Sequence, residues 1–139
     1  ATLNKVFFVN SGSEANDLAI RMAKKHTSNS NIMVIEHGYH GHTQIGIDIS
    51  DYKFSNPKGQ GQKEYIIKTE IPDTYRGRYT QNDGTAGKLY AENTINDIKA
   101  STNKIAAFIA DTVFKLPPLT IPLVPFDCTW FCRPPTIDE

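Results

Sequence analysis

Two short runs carry most of the residues able to do chemistry. The first, Asn10-Ser11-Gly12-Ser13-Glu14-Ala15-Asn16, directly follows the apolar stretch Val6-Phe7-Phe8-Val9. Ser11 and Glu14 have the Ser-x-x-Glu spacing of a capping box, and Gly12 lets a ligand approach the backbone closely. A strand turning sharply into a helix exposes the helix's first amides. The dipole at that end favours an anion, so the run suits a phosphate. The same spacing also serves as an ordinary helix cap, so the run alone leaves both readings open. The second run, Glu36-His37-Gly38-Tyr39-His40-Gly41-His42-Thr43, is rich in glycine and histidine and holds one aromatic residue. It suits a loop that lines a ligand pocket.

The elements that must position these runs follow from periodicity. Ala15, Leu18, Ala19, Met22 and Ala23 recur at i, i+3, i+4, i+7 and i+8, and Lys24, Lys25 and His26 place positive charge at the end of that helix. After the polar turn Ser28-Asn29-Ser30-Asn31, the β-branched run Ile32-Met33-Val34-Ile35 reads as a strand. Strand, phosphate-type turn, helix and strand make a βαβ unit, with the histidine-rich loop at the strands' C-terminal ends, where open α/β sheets place their ligands. Further on, Glu64 to Pro72 reads as a strand closed by proline. Asp83 or Thr85 is placed to cap a helix running to about Ser101, and Ile105 to Ala110 reads as a buried strand.

Taken as a pair, the two runs resemble the class III pyridoxal-phosphate aminotransferases of fold type I, which carry a Ser-Gly-Ser/Thr-Glu-Ala-Asn turn followed by a Tyr-His-Gly loop. The segment Asp48-Ile49-Ser50-Asp51-Tyr52-Lys53-Phe54 is similar to a subgroup containing ethanolamine-phosphate phospho-lyase and alanine-glyoxylate-aminotransferase-like proteins, except that the subgroup usually has proline in place of Asp51. The resemblance implies an α/β fold, part of a large cofactor-binding domain with a mainly parallel sheet and crossover helices. It further implies pyridoxal 5'-phosphate as cofactor, a small amine or phosphoamine as substrate, an intracellular setting, and a homodimeric parent. The amides of Gly12 and Ser13 would then bind the cofactor phosphate and Tyr39 would stack on its ring. Asp111 stands where the family has a longer glutamate lining the site.

The resemblance covers about residues 3 to 110. A division follows: residues 1–111 as a partial cofactor-binding domain and 112–139 as an irregular, divergent tail. Six of the chain's 8 prolines, both cysteines and the only tryptophan lie in that tail. No lysine from Lys53 to Lys115 sits where the family places its cofactor-bearing lysine, and Asp138-Glu139 has no strand before it. No catalytic residue is therefore assigned within the chain, which is expected to be inactive alone. Its beginning, Ala1 to Val6, reads as an interior piece with no leader.

Composition narrows the function classes. The chain has 139 residues, 39% hydrophobic and 22% charged, with 15 basic and 15 acidic side chains. That balance fits one globular domain, and nothing in it points to nucleic acid or an anionic membrane. Cys128 and Cys132 are separated by three residues rather than the two of a zinc knuckle or redox motif, and read as free thiols. In the loop Asp73 to Tyr79, Arg76 and Arg78 could meet a carboxylate or phosphate, or simply lie in solvent. Two rival readings stand beside the resemblance: a catalytically dead or mis-terminated remnant, and a metal site built from His37, His40 and His42 with Glu36 and Asp48 nearby.

Overall fold

A computed structural model describes residues 5–80, 84–101 and 104–111. Its centre is β1 (Asn31–Ile35), flanked by β2 (Ile66–Thr69) and β3 (Ile105–Ile109) in a parallel sheet of order β2-β1-β3. Ile32 pairs with Ile66 and Ile35 with Thr69 on one side, and Met33 with Phe108 on the other. All five residues of β1 are buried. A strand covered on both edges and both faces reads as a continuous apolar run instead of an alternation, which Ile32-Met33-Val34-Ile35 does.

Helix α1 (Gly12–Thr27) packs against β3, and α4 (Thr85–Ala100) against β2. Two short helices, α2 (Gln44–Asp48) and α3 (Asp51–Phe54), lie in the crossover from β1 to β2 and send Ile49 and Phe54 into a core with Ile20, Ile32, Val34 and Ile66. The Tyr65 hydroxyl donates to Asp48 Oδ2 at 2.7 Å, and Lys24 lies 4.3 Å over the Tyr65 ring, so the entry to β2 is tied to both α1 and α2. Burial and the Asp48 carboxylate together push the Tyr65 hydroxyl well above its ordinary range. Among the described residues no helix is long and apolar enough to cross a membrane.

Several expectations change. Val6 to Val9 is not a strand: it has no ladder partner among the described residues, and Phe8 is 92% exposed. A strand is defined by its neighbours, and among the described residues the apolar run has none. In α1 the buried positions are Ile20 and Ala23, while Ala15 and Met22 on the opposite side are exposed. Of the periodic apolar set, Ala23 is buried and Leu18 and Ala19 are half-buried, and the covered stripe also takes in Ile20, which lay outside that set. Strand β2 is shorter than Glu64 to Pro72. Strand β3 is half-buried rather than buried, and among the described residues only its β1 edge is paired. Helix α4 is preceded by Gly84 in the left-handed region, with Thr85 as its first residue. Asp83 and the tail from residue 112, including Cys128, Trp130 and Cys132, lie outside the described residues.

Candidate functional site

The Ser11 half of the capping box forms, while the Glu14 side chain reaches one residue further back than the N-cap. Ser11 is extended, its hydroxyl accepts the Glu14 amide at 3.2 Å, and Glu14 Oε2 accepts the Asn10 amide at 2.8 Å. The Ala15 amide reaches the Ser11 carbonyl at 3.0 Å. Of the first amides of α1, those of Gly12 and Ser13 remain without an acceptor among the described residues. They carry the partial positive charge of a 16-residue helix. A Cβ built on Gly12 meets nothing within 4 Å, so neither packing nor a left-handed backbone demands glycine there. The space over Gly12 is open to a ligand.

The loop after β1 is laid across this helix end. The Glu36 amide still donates to Thr69 at 3.0 Å, after which His37 turns the chain with φ of 63°. The His42 amide donates to Ser13 Oγ at 3.1 Å, and Asn16 Nδ2 donates to the His40 carbonyl at 2.9 Å. Gly41, at φ of 122°, fits because it has no side chain: a Cβ there would sit 2.5 Å from Ser13 Oγ and 2.9 Å from its Cα. From the other side, Ser50 Oγ accepts the His40 amide at 2.7 Å and donates to the Gly46 carbonyl at 2.6 Å. Tyr39, 39% exposed, meets His42 and Tyr52 edge-on at centroid distances of 5.4 and 6.4 Å.

His40 differs from its neighbours. It is 5% exposed, and its Nε2 is buried without a hydrogen-bond partner. Burial pushes the imidazole below its ordinary value of 6.5, and the negative charge of Asp111, half-buried just past β3, pulls it part of the way back. The ring is held neutral by its surroundings. His37 is largely exposed and its Nδ1 lies 4.0 Å from Asp51, while His42 lies against Tyr39. The three histidines thus diverge, and among the described residues no three histidine, cysteine or acidic side chains form a metal-holding group.

Of the residues singled out from sequence, Gly12, Ser13 and Tyr39 are joined through the 39–42 loop, and Asp111 acts on the loop's buried histidine. Arg78 instead pairs with Glu70 at 3.6 Å, and Arg76 stacks on Tyr75 at 5.7 Å, so both guanidiniums are engaged locally. Sequence reasoning missed Asn16, Ser50 and Asp51 as residues that fix the loop. For Asn16 a signal existed, since it lies one helical turn beyond Gly12.

A family model described as aminotransferase class-III matches residues 1–114. The chain is 41% identical over 118 residues to "Alanine--glyoxylate aminotransferase 2-like" of Drosophila melanogaster, covering 80% of this chain and 24% of that protein. It is 35% identical over 123 residues to "Ethanolamine-phosphate phospho-lyase homolog 1" of Caenorhabditis elegans, covering 80% and 26% respectively. The chain thus spans about a quarter of these relatives' length. Among solved structures, a taurine:2-oxoglutarate aminotransferase from Bifidobacterium kashiwanohense, in complex with PLP and glutamate, superposes with a TM-score of 0.61 at 21% identity, covering 74% of this chain and 24% of that one. That likeness shows the fold.

Two outcomes follow from the geometry. Gly41→Ala is expected to lower unfolding stability by roughly 1–3 kcal/mol, because it strains a left-handed residue and collides with Ser13, while Gly12→Ala stays within about 0.5 kcal/mol of the parent. Urea unfolding of both variants measures this, and equal losses would contradict the close approach at Gly41. For His40, the unfolded chain takes up its proton at a higher pH than the folded one. Stability should therefore fall as pH drops below 6.5, and the His40→Leu variant should show a shallower slope. Urea midpoints measured between pH 7.5 and 5.5 test the sign.

Proposed function

Because the chain belongs to the class III aminotransferase family, we propose that it supplies the phosphate cup and ring-stacking face of a pyridoxal 5'-phosphate site. The observation that carries this reading is the convergence of two acceptor-free amides, Gly12 and Ser13, with the Tyr39 loop bonded onto the same helical turn. An anionic phosphate suits a helix N-terminus whose other donors are already used by its cap. The open space over Gly12 admits it.

In this reading the Gly12 and Ser13 amides bind the phosphate, and Tyr39 presents an aromatic face to the planar ring. The half-buried Asp111 lines the site. His40, buried within the loop and with its Nε2 unpartnered among the described residues, presents that atom to a group brought by the rest of the site. When bound, the cofactor supplies an electron-poor ring that takes up electrons from the carbon bearing the substrate's amine. The whole protein acts, in this proposal, as a dimeric transaminase on a small amine. The segment from Asp48 to Phe54 and the likeness to a relative named as an ethanolamine-phosphate phospho-lyase homolog favour a second reading, phosphate elimination from a phosphoamine.

Titration with pyridoxal phosphate, followed by absorbance, tests the site. Tyr39→Ala is expected to weaken binding about two- to tenfold, the equivalent of about 0.5–1.5 kcal/mol of aromatic contact, with Tyr39→Phe within about twofold of the parent. Gly12→Val should weaken binding while leaving the urea midpoint in place. Undiminished affinity in Gly12→Val would remove the phosphate from this helix end.

A further inference from the structure

The segment that follows α2 does more than cross to the next strand. Four consecutive residues, Ser50 to Lys53, each engage the loop that carries Tyr39. Ser50 Oγ accepts the His40 amide at 2.7 Å, Asp51 Oδ2 accepts the His37 amide at 2.6 Å, and the Tyr52 amide donates to the Gly38 carbonyl at 3.3 Å. The Tyr52 ring meets Tyr39 edge-on, and Lys53 Nζ lies 5.9 Å over the Tyr39 ring and 5.5 Å over that of Tyr52. Tyr39 is thus framed from both its backbone neighbours and its ring.

Asp51 is the costliest member of this frame. Its side chain is only 4% exposed, and a carboxylate so deep must be fully engaged to be tolerated. It is: besides the His37 amide it accepts the Ser55 hydroxyl, and Lys68 Nζ of β2 stands 3.4 Å from Oδ1 while reaching Glu36 at 3.7 Å. Burial raises the carboxyl's pKa, but the Ser55 and His37 hydrogen bonds and the Lys68 charge outweigh it, so the group stays ionised below the usual carboxylate range. The titratable groups facing it are therefore Glu36, His37 and Lys68. Its bond to His37 fixes the one left-handed non-glycine residue of the loop, two positions before Tyr39.

We propose that Asp51 is a positioning residue for the candidate cofactor site: by holding the His37 amide and anchoring to Lys68 of β2, it sets the angle at which Tyr39 is offered to the ring. This inference rests on the reading that Tyr39 stacks on the cofactor, and the experiment separates the two. It uses the 139-residue chain as parent, Asp51→Ala, Asp51→Asn, Tyr39→Ala and the double variant D51A/Y39A, with pyridoxal phosphate as probe.

Two measurements are made. In the absence of cofactor, hydrogen exchange of the amides from His37 to His42 should accelerate at least about tenfold in Asp51→Ala, while Met33 and Val34 in β1 stay protected. Asp51→Asn keeps an oxygen for the His37 amide and should fall between the two, which also provides a variant if Asp51→Ala does not fold. In the titration, Asp51→Ala should weaken binding by no more than Tyr39→Ala, and adding it to Tyr39→Ala should cost nothing further. Unchanged exchange at His37 in both Asp51 variants, or affinity losses that multiply in the double variant, would overturn the proposal. If Tyr39→Ala alone leaves affinity intact, the stacking reading fails, and the exchange result still decides whether Asp51 sets the loop.

Discussion

The backbone of Gly41 lies against the first turn of α1 at a distance no side chain could share, and the rest of the site depends on that approach. It brings the His42 amide to Ser13 Oγ and the His40 carbonyl to Asn16, so that a loop leaving the central strand is fixed to a helix that begins elsewhere in the sequence. Tyr39 sits two residues before this contact. Its position relative to the Gly12 and Ser13 amides is thus set by the fold rather than by the tyrosine's own packing, which leaves it more than a third exposed. A site that holds a rigid planar ligand benefits from such preorganisation, since little ordering remains to be done on binding.

The polar groups beneath the loop explain how it holds its shape. Ser50 and Asp51 are buried at a point where the core has just been entered by Ile49 and is about to be entered by Phe54. Apolar neighbours make each unsatisfied polar atom costly, so the hydrogen bonds to His37, His40 and Gly46 become specific: a loop in another conformation would leave Ser50 and Asp51 without partners. The exception is His40 Nε2, which among the described residues has none. It is the one buried side-chain nitrogen or oxygen among the described residues left outside that network.

Local signals were legible where the physics is local. The capping box was readable because Ser11 and Glu14 act within one helical turn. The central strand was readable because burial on all sides writes an unbroken apolar run into Ile32 to Ile35. The pairing of a phosphate-type turn with a Tyr-His-Gly loop was legible as a family resemblance, and the family match supports it. What depended on neighbours was not legible. Val6 to Val9 has strand composition but no ladder among the described residues. The buried stripe of α1 keeps Ala23 but shifts from Ala15 and Met22 toward Ile20, and among the described residues β3 is paired on one edge. The frame from Ser50 to Lys53 was hidden for the same reason, since a serine and an aspartate before a short helix look like caps until the loop they hold is folded against them.

The central claim is that one helix end and one tyrosine form a single anion-and-ring site. Backbone and aromatic NMR resonances followed during titration with pyridoxal phosphate test it most directly. The account predicts saturable shifts of the Gly12 and Ser13 amides together with upfield movement of the Tyr39 ring protons, all with one apparent affinity. Shifts confined to the basic groove lined by Lys24, Lys25 and Lys104, at the opposite ends of the strands, with Gly12, Ser13 and Tyr39 unmoved, would contradict it.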